Sequence, residues 1–214
     1  MIVVAYVGAA HAADTIKRDK AGAEQRARDL LAKVQAGGDF AALAKTESDA
    51  PSSAPRGGIM GTFRKSEWPD LHMTLRDPLF ALPVGEVAKQ PVPADYGYVV
   101  LRRCAVEKAH GRHILVRYKG SKRSGPEVTR AKADAEKRAH ELLKQLEGGA
   151  DFATLAKTAS EDGSAERGGD IGSPGRGLLA LPFEQALFAL RPGQRTGVVE
   201  TEFGYHIIER VADP

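Results

Sequence analysis

With a single cysteine, Cys104, this 214-residue chain has no internal disulfide, so packing and hydrogen bonding must hold it together, and a reducing compartment suits it. No apolar run approaches the roughly 20 residues of a membrane span. Charge imbalance is missing too: the net charge is +3, too small for bulk attraction to nucleic acid, so basic character that matters must be local. The stretch Met1 to Ala13 has a short apolar run followed by Ala10-His11-Ala12 but no basic n-region, and reads as a first strand rather than a cleavable signal. The expected location is therefore cytoplasmic, or exported if a signal lies upstream of this chain. What remains is ordinary globular composition, 42% apolar and 28% charged, enough for a core.

The chain repeats itself. Asp39-Phe40-Ala41-Ala42-Leu43-Ala44-Lys45-Thr46 is answered 112 positions later by Asp151-Phe152-Ala153-Thr154-Leu155-Ala156-Lys157-Thr158. Arg56-Gly57-Gly58 returns as Arg167-Gly168-Gly169, Leu79-Phe80-Ala81-Leu82 as Leu187-Phe188-Ala189-Leu190, and Gly97-Tyr98 as Gly204-Tyr205. A repeat this long is domain-sized, which puts one unit at 1–105 and another at 110–214, with a short linker between.

Within the second unit the element order is legible. Arg112 to Arg123 reads as a strand emptying into a basic loop, residues 129–147 as a long amphipathic helix stopped by Gly148-Gly149, and Asp151 as the cap of a second helix. Glycines from 163 to 169 force a loop. A short strand at Asp170-Ile171-Gly172, a helix over Phe183 to Leu190 and a hairpin across Glu202-Phe203-Gly204 complete an α+β unit.

Candidate chemistry is sparse. His113 opens the first strand and His206 sits in the last, where they could face each other across adjacent strands. Without a cysteine or carboxylate at ligand spacing they make no convincing metal site. Asp162 lies in a glycine loop, where a solvated capping carboxylate is the plain alternative. Leu179, Phe183 and Phe188 read as core on composition alone. Between Arg112 and Lys132 stand seven Arg or Lys and one acid, Glu127, a local positive field without the interleaved stacking aromatics of a nucleic-acid binder.

The arrangement as a whole resembles a parvulin-type peptidyl-prolyl cis/trans isomerase. The resemblance spans 110–212: the opening His-Ile-Leu-Val, the Asp-Phe-x-x-Leu-Ala helix, the Ser-x-Asp-x-Ser-Ala-x-x-Gly-Gly-Asp-Ile-Gly loop, the Pro-Phe-x-x-Ala-Leu-Phe-Ala-Leu helix and the closing Phe-Gly-Tyr-His-Ile-Ile. It implies two tandem parvulin-like domains, each a small four-stranded, mostly antiparallel sheet flanked by helices. It also implies catalytic roles for His113, His206, Asp162 and Thr201, and a substrate-proline pocket at Leu179, Phe183 and Ile171. Arg117, Lys122 and Arg123 fall where phosphorylation-dependent members grip a phosphate on the residue before proline. One departure is Ser173-Pro174, where many members carry an aromatic residue.

The implied reaction needs no cofactor and no metal: it rotates an X-Pro amide over a barrier of about 18–20 kcal/mol without making or breaking a bond. The expected partners are proline-containing polypeptides, phosphorylated or acidic before the proline, and neither nucleic acid nor a membrane. In the first unit the position answering His113 is Met1, Val99 answers His206, and Ala5, Ala10 and His11 answer Arg117, Lys122 and Arg123. Residues 1–105 therefore read as a degenerate unit, N-terminally incomplete or lacking the histidine by nature, that binds or scaffolds without catalysis. A peptide-binding chaperone with incidental isomerase activity is the competing expectation.

Overall fold

In the computed structural model, which describes residues 1–212, the chain forms two compact units, Met1–Val106 and a second beginning at Glu107. The first unit runs β1 (Ile2–Val4), α1 (Lys20–Gln35), α2 (Phe40–Glu47), α3 (Met73–Ala81), β2 (Val92–Ala94) and β3 (Gly97–Val100). The second runs β4 (Gly111–Val116), α4 (Lys132–Glu147), α5 (Phe152–Ala159), α6 (Leu181–Ala189), β5 (Arg195–Thr201) and β6 (Gly204–Arg210). Each sheet is antiparallel with the last strand in the middle, in the orders β1-β3-β2 and β4-β6-β5.

In the second unit the period-two alternation of β4 and β6 sorts side chains onto two faces. Ile114, Val116, Tyr205 and Ile207 pack against Ala135, Ala139, Leu142 and Leu146 of α4 and Phe152 and Ala156 of α5. Those four residues of α4 recur at intervals of three and four, one stripe of a helix. The helix stops before Gly149, whose φ of +95° suits glycine. Asp151 caps α5, its carboxyl accepting the Thr154 amide at 2.8 Å. The other face carries His113 and His206, with Phe183 and Leu187 of α6 packed on Ile208.

Two expected elements come out shorter. The long helix begins at Lys132 rather than 129, because Arg130 is drawn elsewhere: its carbonyl accepts the Lys119 amide and its guanidinium bonds Arg117 O and Glu161. The strand around Asp170 shrinks to a single bridge with Arg112, so among the described residues the sheet has three strands, not four. Gly168 and Gly169 before it and Gly172 after it all take positive φ, which no extended strand accommodates.

Gly169 also explains the placement of His113. A Cβ there would meet His113 O at 2.3 Å, and in the first unit a Cβ on Gly58 would meet Met1 O at 2.4 Å. The glycine loop of each unit thus presses directly on the first strand. Strand pairing gives the same correspondence, since Leu115 faces His206 as Val3 faces Val99.

Candidate active site

β4 and β6 bring His113 and His206 onto one face at diagonal positions, both buried, at 5% and 4% exposure. Their rings stack 5.3 Å apart with Nδ1 atoms at 3.1 Å, and Phe183 meets both edge-on at 5.2 Å. Nε2 of His113 lies 3.1 Å from Asp162 Oδ1. Nε2 of His206 lies 2.8 Å from the Thr201 hydroxyl, whose oxygen accepts the Phe203 amide at 3.1 Å. The Ser164 amide and hydroxyl also donate to Asp162 Oδ1, at 2.9 and 2.6 Å. Asp162, His113, His206 and Thr201 form one continuous hydrogen-bonded chain.

Its proton order follows from donor and acceptor arithmetic. The hydrogen bond from His113, reinforced by those from Ser164, holds the Asp162 carboxyl well below the usual carboxylate range, so Asp162 is ionised and accepts. His113 then donates from Nε2, and one proton lies between the two Nδ1 atoms. Burial, with His113 beside it, pushes His206 down to about 3, which keeps that ring neutral. The chain ends at the ionised Asp162 carboxyl.

This neutral histidine has a measurable cost. Between its unfolded value near 6.5 and its folded value of about 3, the unfolded chain binds the proton and the folded one does not, so stability falls as pH falls through that window. From pH 6 to 4.5 the wild-type second unit should lose about 2 kcal/mol more than a His206→Val variant, at roughly 1.4 kcal/mol per pH unit. Urea unfolding at the two pH values measures it, and parallel pH dependences would refute the neutral assignment.

Above the histidines opens a cleft of about 250 Å³ lined by His113, His206, Asp162, Ile171, Leu179 and Phe183, together with Leu115, Leu178, Ala180, Arg117, Arg123 and Phe203. Thr201 lies behind His206 as its buried support. Lys122 stands at the rim, off the lining, 3.6 Å from Glu202 and over the Phe203 ring. Ser173 and Pro174 do not line the cleft, and Pro174 O instead accepts the Ala109 amide. Sequence reading assigned no role to Phe203. An aromatic residue in a two-residue hairpin loop, where Asn and Gly are usual, was the signal that could have found it.

The basic loop has a fixed path. Arg117 donates from Nε to Glu161 O at 2.9 Å and from a second nitrogen to Arg123 O. Arg123 takes a left-handed φ of 63°, and His11 repeats it at 58°. Arg18 holds Ala5 O and Asp49 as Arg130 holds Arg117 O and Glu161. Both units therefore share this loop's course, and only the second carries cations at the positions of Arg117, Lys122 and Arg123, where the first has Ala5, Ala10 and His11.

The remaining positions of the first unit differ as well. Val3 N–H bonds Ser48 Oγ and Ala5 N–H bonds Asp49, as Leu115 bonds Ser160 and Arg117 bonds Glu161, so Ala50 answers Asp162. Met1, Val3, Val99 and Leu75 form an apolar cluster with Trp68, which is 8% exposed and packs edge-on against Phe63 and Phe80. No polar chain runs through those positions.

A PPIC-type PPIASE domain model matches residues 99–214 and a second model of the same description matches 8–105. The chain is 35% identical over 207 residues to the chaperone SurA of Nitrosospira multiformis, covering 92% of this chain and 44% of that protein. It is 36% identical over 194 residues to the chaperone SurA of Methylobacillus flagellatus, covering 86% and 41%. It thus spans less than half the length of these curated relatives. Among solved structures, the peptidyl-prolyl isomerase ESS1 from Candida albicans aligns at 28% identity and a TM-score of 0.47, covering 49% of this chain and 63% of that one. PrsA from Bacillus subtilis aligns at 34% and 0.40, covering 50% and 35%. The repeat, the paired units and the two matched domains agree: this chain belongs to the parvulin, or PPIC-type, family of peptidyl-prolyl cis/trans isomerase domains and carries two of them in tandem.

Proposed function

We propose that the second unit isomerises X-Pro bonds, that it favours phosphoserine- or phosphothreonine-proline, and that the first unit binds or scaffolds without catalysis. The observation that carries the first part is the apolar cleft floored by the Asp162-His113-His206-Thr201 chain. Ile171, Leu179 and Phe183 offer a proline ring an apolar socket, and a desolvated X-Pro amide loses the water that stabilises its planar, polar form. The neutral His206 imidazole supports the floor without placing charge there, and Asp162 sets negative potential beside the twisting amide.

Arg117 and Arg123 line the same cleft, and guanidinium groups match the geometry of phosphate oxygens. Arg117 is tied down by two carbonyls, so little freedom is lost when a ligand arrives. The first unit has Met1, Ala50 and Val99 at the chain's positions, which supports a non-catalytic role there. A second reading, a peptide-holding chaperone with incidental turnover, is favoured by the relatives bearing that name. An exchange-based isomerisation assay on matched phosphorylated and unphosphorylated Ser-Pro peptides separates them. Turnover is expected on both, faster on the phosphorylated one, and no turnover on either would establish the chaperone reading instead.

A further inference from the structure

Glu184 stands out among the side chains the reaction does not touch. It lies in the first turn of α6 at 2% exposure, next in sequence to the pocket residue Phe183. A buried carboxyl is costly unless hydrogen-bonded, and its Oε2 accepts the backbone amide of Gly177 at 2.5 Å. Gly177 has φ +87°, and the three residues after it, Leu178, Leu179 and Ala180, form one wall of the cleft.

The far end of the same segment is fastened separately. The Ala109 amide bonds Pro174 O, Lys108 bridges Gly175, and Arg176 pairs with Glu107 and lies 4.1 Å over the Phe188 ring. Residues 174–176 are thereby held to the unit's leading edge, and Glu184 holds the turn from which the wall departs. In the first unit, counting by the offset of the shared Leu-Phe-Ala-Leu helix, Arg76 stands at Glu184 and Pro69, which has no amide hydrogen, at Gly177. Donor and acceptor are both missing from the first unit, where Trp68, at the position of Arg176, packs into an apolar cluster.

We propose that Glu184 is a positioning residue for substrate: its hydrogen bond to Gly177 holds the 178–180 wall in place to receive the proline ring. This rests on the isomerase reading for the ligand, not for the clamp itself. The effect should fall on substrate affinity, because the wall touches the ring and not the twisting amide.

The test uses the full chain. Glu184→Met keeps a helix-forming side chain of similar length and removes the acceptor, whereas Glu184→Gln keeps an acceptor oxygen. For a Ser-Pro peptide titrated against the Leu179 methyl signals, Glu184→Met should raise Kd and KM by about tenfold with kcat within about twofold, and Glu184→Gln should stay within about threefold of wild type. Gly177 amide exchange should be slow in the wild type and at least about tenfold faster in Glu184→Met. Unchanged peptide affinity in folded Glu184→Met overturns the role, as does a wild-type Gly177 amide exchanging as fast as that of Leu178, a reading that needs no variant to fold. A wild type that binds peptide without turnover would overturn the isomerase reading and leave the clamp standing.

Discussion

Asp162→Ala is expected to lower kcat/KM on Ser-Pro peptides by about 100-fold, or roughly 3 kcal/mol of transition-state stabilisation, the scale on which one preorganised electrostatic group acts. Three donors converge on a single oxygen of Asp162, from His113 Nε2, the Ser164 amide and the Ser164 hydroxyl. That convergence gives a control. Asp162→Asn can present its carbonyl oxygen to all three donors and lose only the charge. If negative potential beside the amide is what matters, Asp162→Asn falls nearly as far as Asp162→Ala. If orientation of His113 is what matters, Asn retains most of the activity and Ala does not. Full activity in Asp162→Ala would remove the residue from the mechanism altogether.

The second large effect is one of selectivity. Replacing Arg117 and Arg123 together by glutamine should cost about 50-fold in kcat/KM on a phosphoserine-proline peptide and under about threefold on its unphosphorylated twin, since hydrogen bonds to charged groups contribute about 1.5–3 kcal/mol each and are not additive. Equal losses on both peptides would mean that the arginines hold the loop and not the phosphate. The distinction is real, because Arg117 bonds Glu161 O and Arg123 O within the protein. Salt separates the cases again: a phosphate contact weakens between low and physiological ionic strength, and an internal tether changes little. The first unit follows the same loop path through His11 and Arg18 without those cations, so the fold of the loop does not depend on them.

Much of this was legible before any coordinates. The duplication, the helices with the Asp151 cap, the glycine loop and the closing hairpin are local signals, each written in a few consecutive residues. The site residues came from motifs, and the cleft gathers His113, Asp162, His206, Ile171, Leu179, Phe183, Arg117 and Arg123. Less local features were misjudged or missed. The helix start at Lys132 depended on where Arg130 was drawn, and the strand at Asp170 on how three positive-φ glycines would turn. Glu184 looked like any polar residue on a helix, and nothing in its neighbours announces a buried acceptor for an amide seven residues away.

By itself, then, the sequence determined the two α+β units, their shared element order and the asymmetry between them, because period, capping and glycine placement act over a turn or a strand. Only the tertiary structure decided how His113 and His206 stack, which oxygen of Asp162 receives three donors, and which loop carbonyls hold Arg117. It also set Lys122 at the rim and Phe203 in the lining. Those facts depend on strand register, which fixes which side chains share a face, and on close packing, which fixes the direction of every buried hydrogen bond.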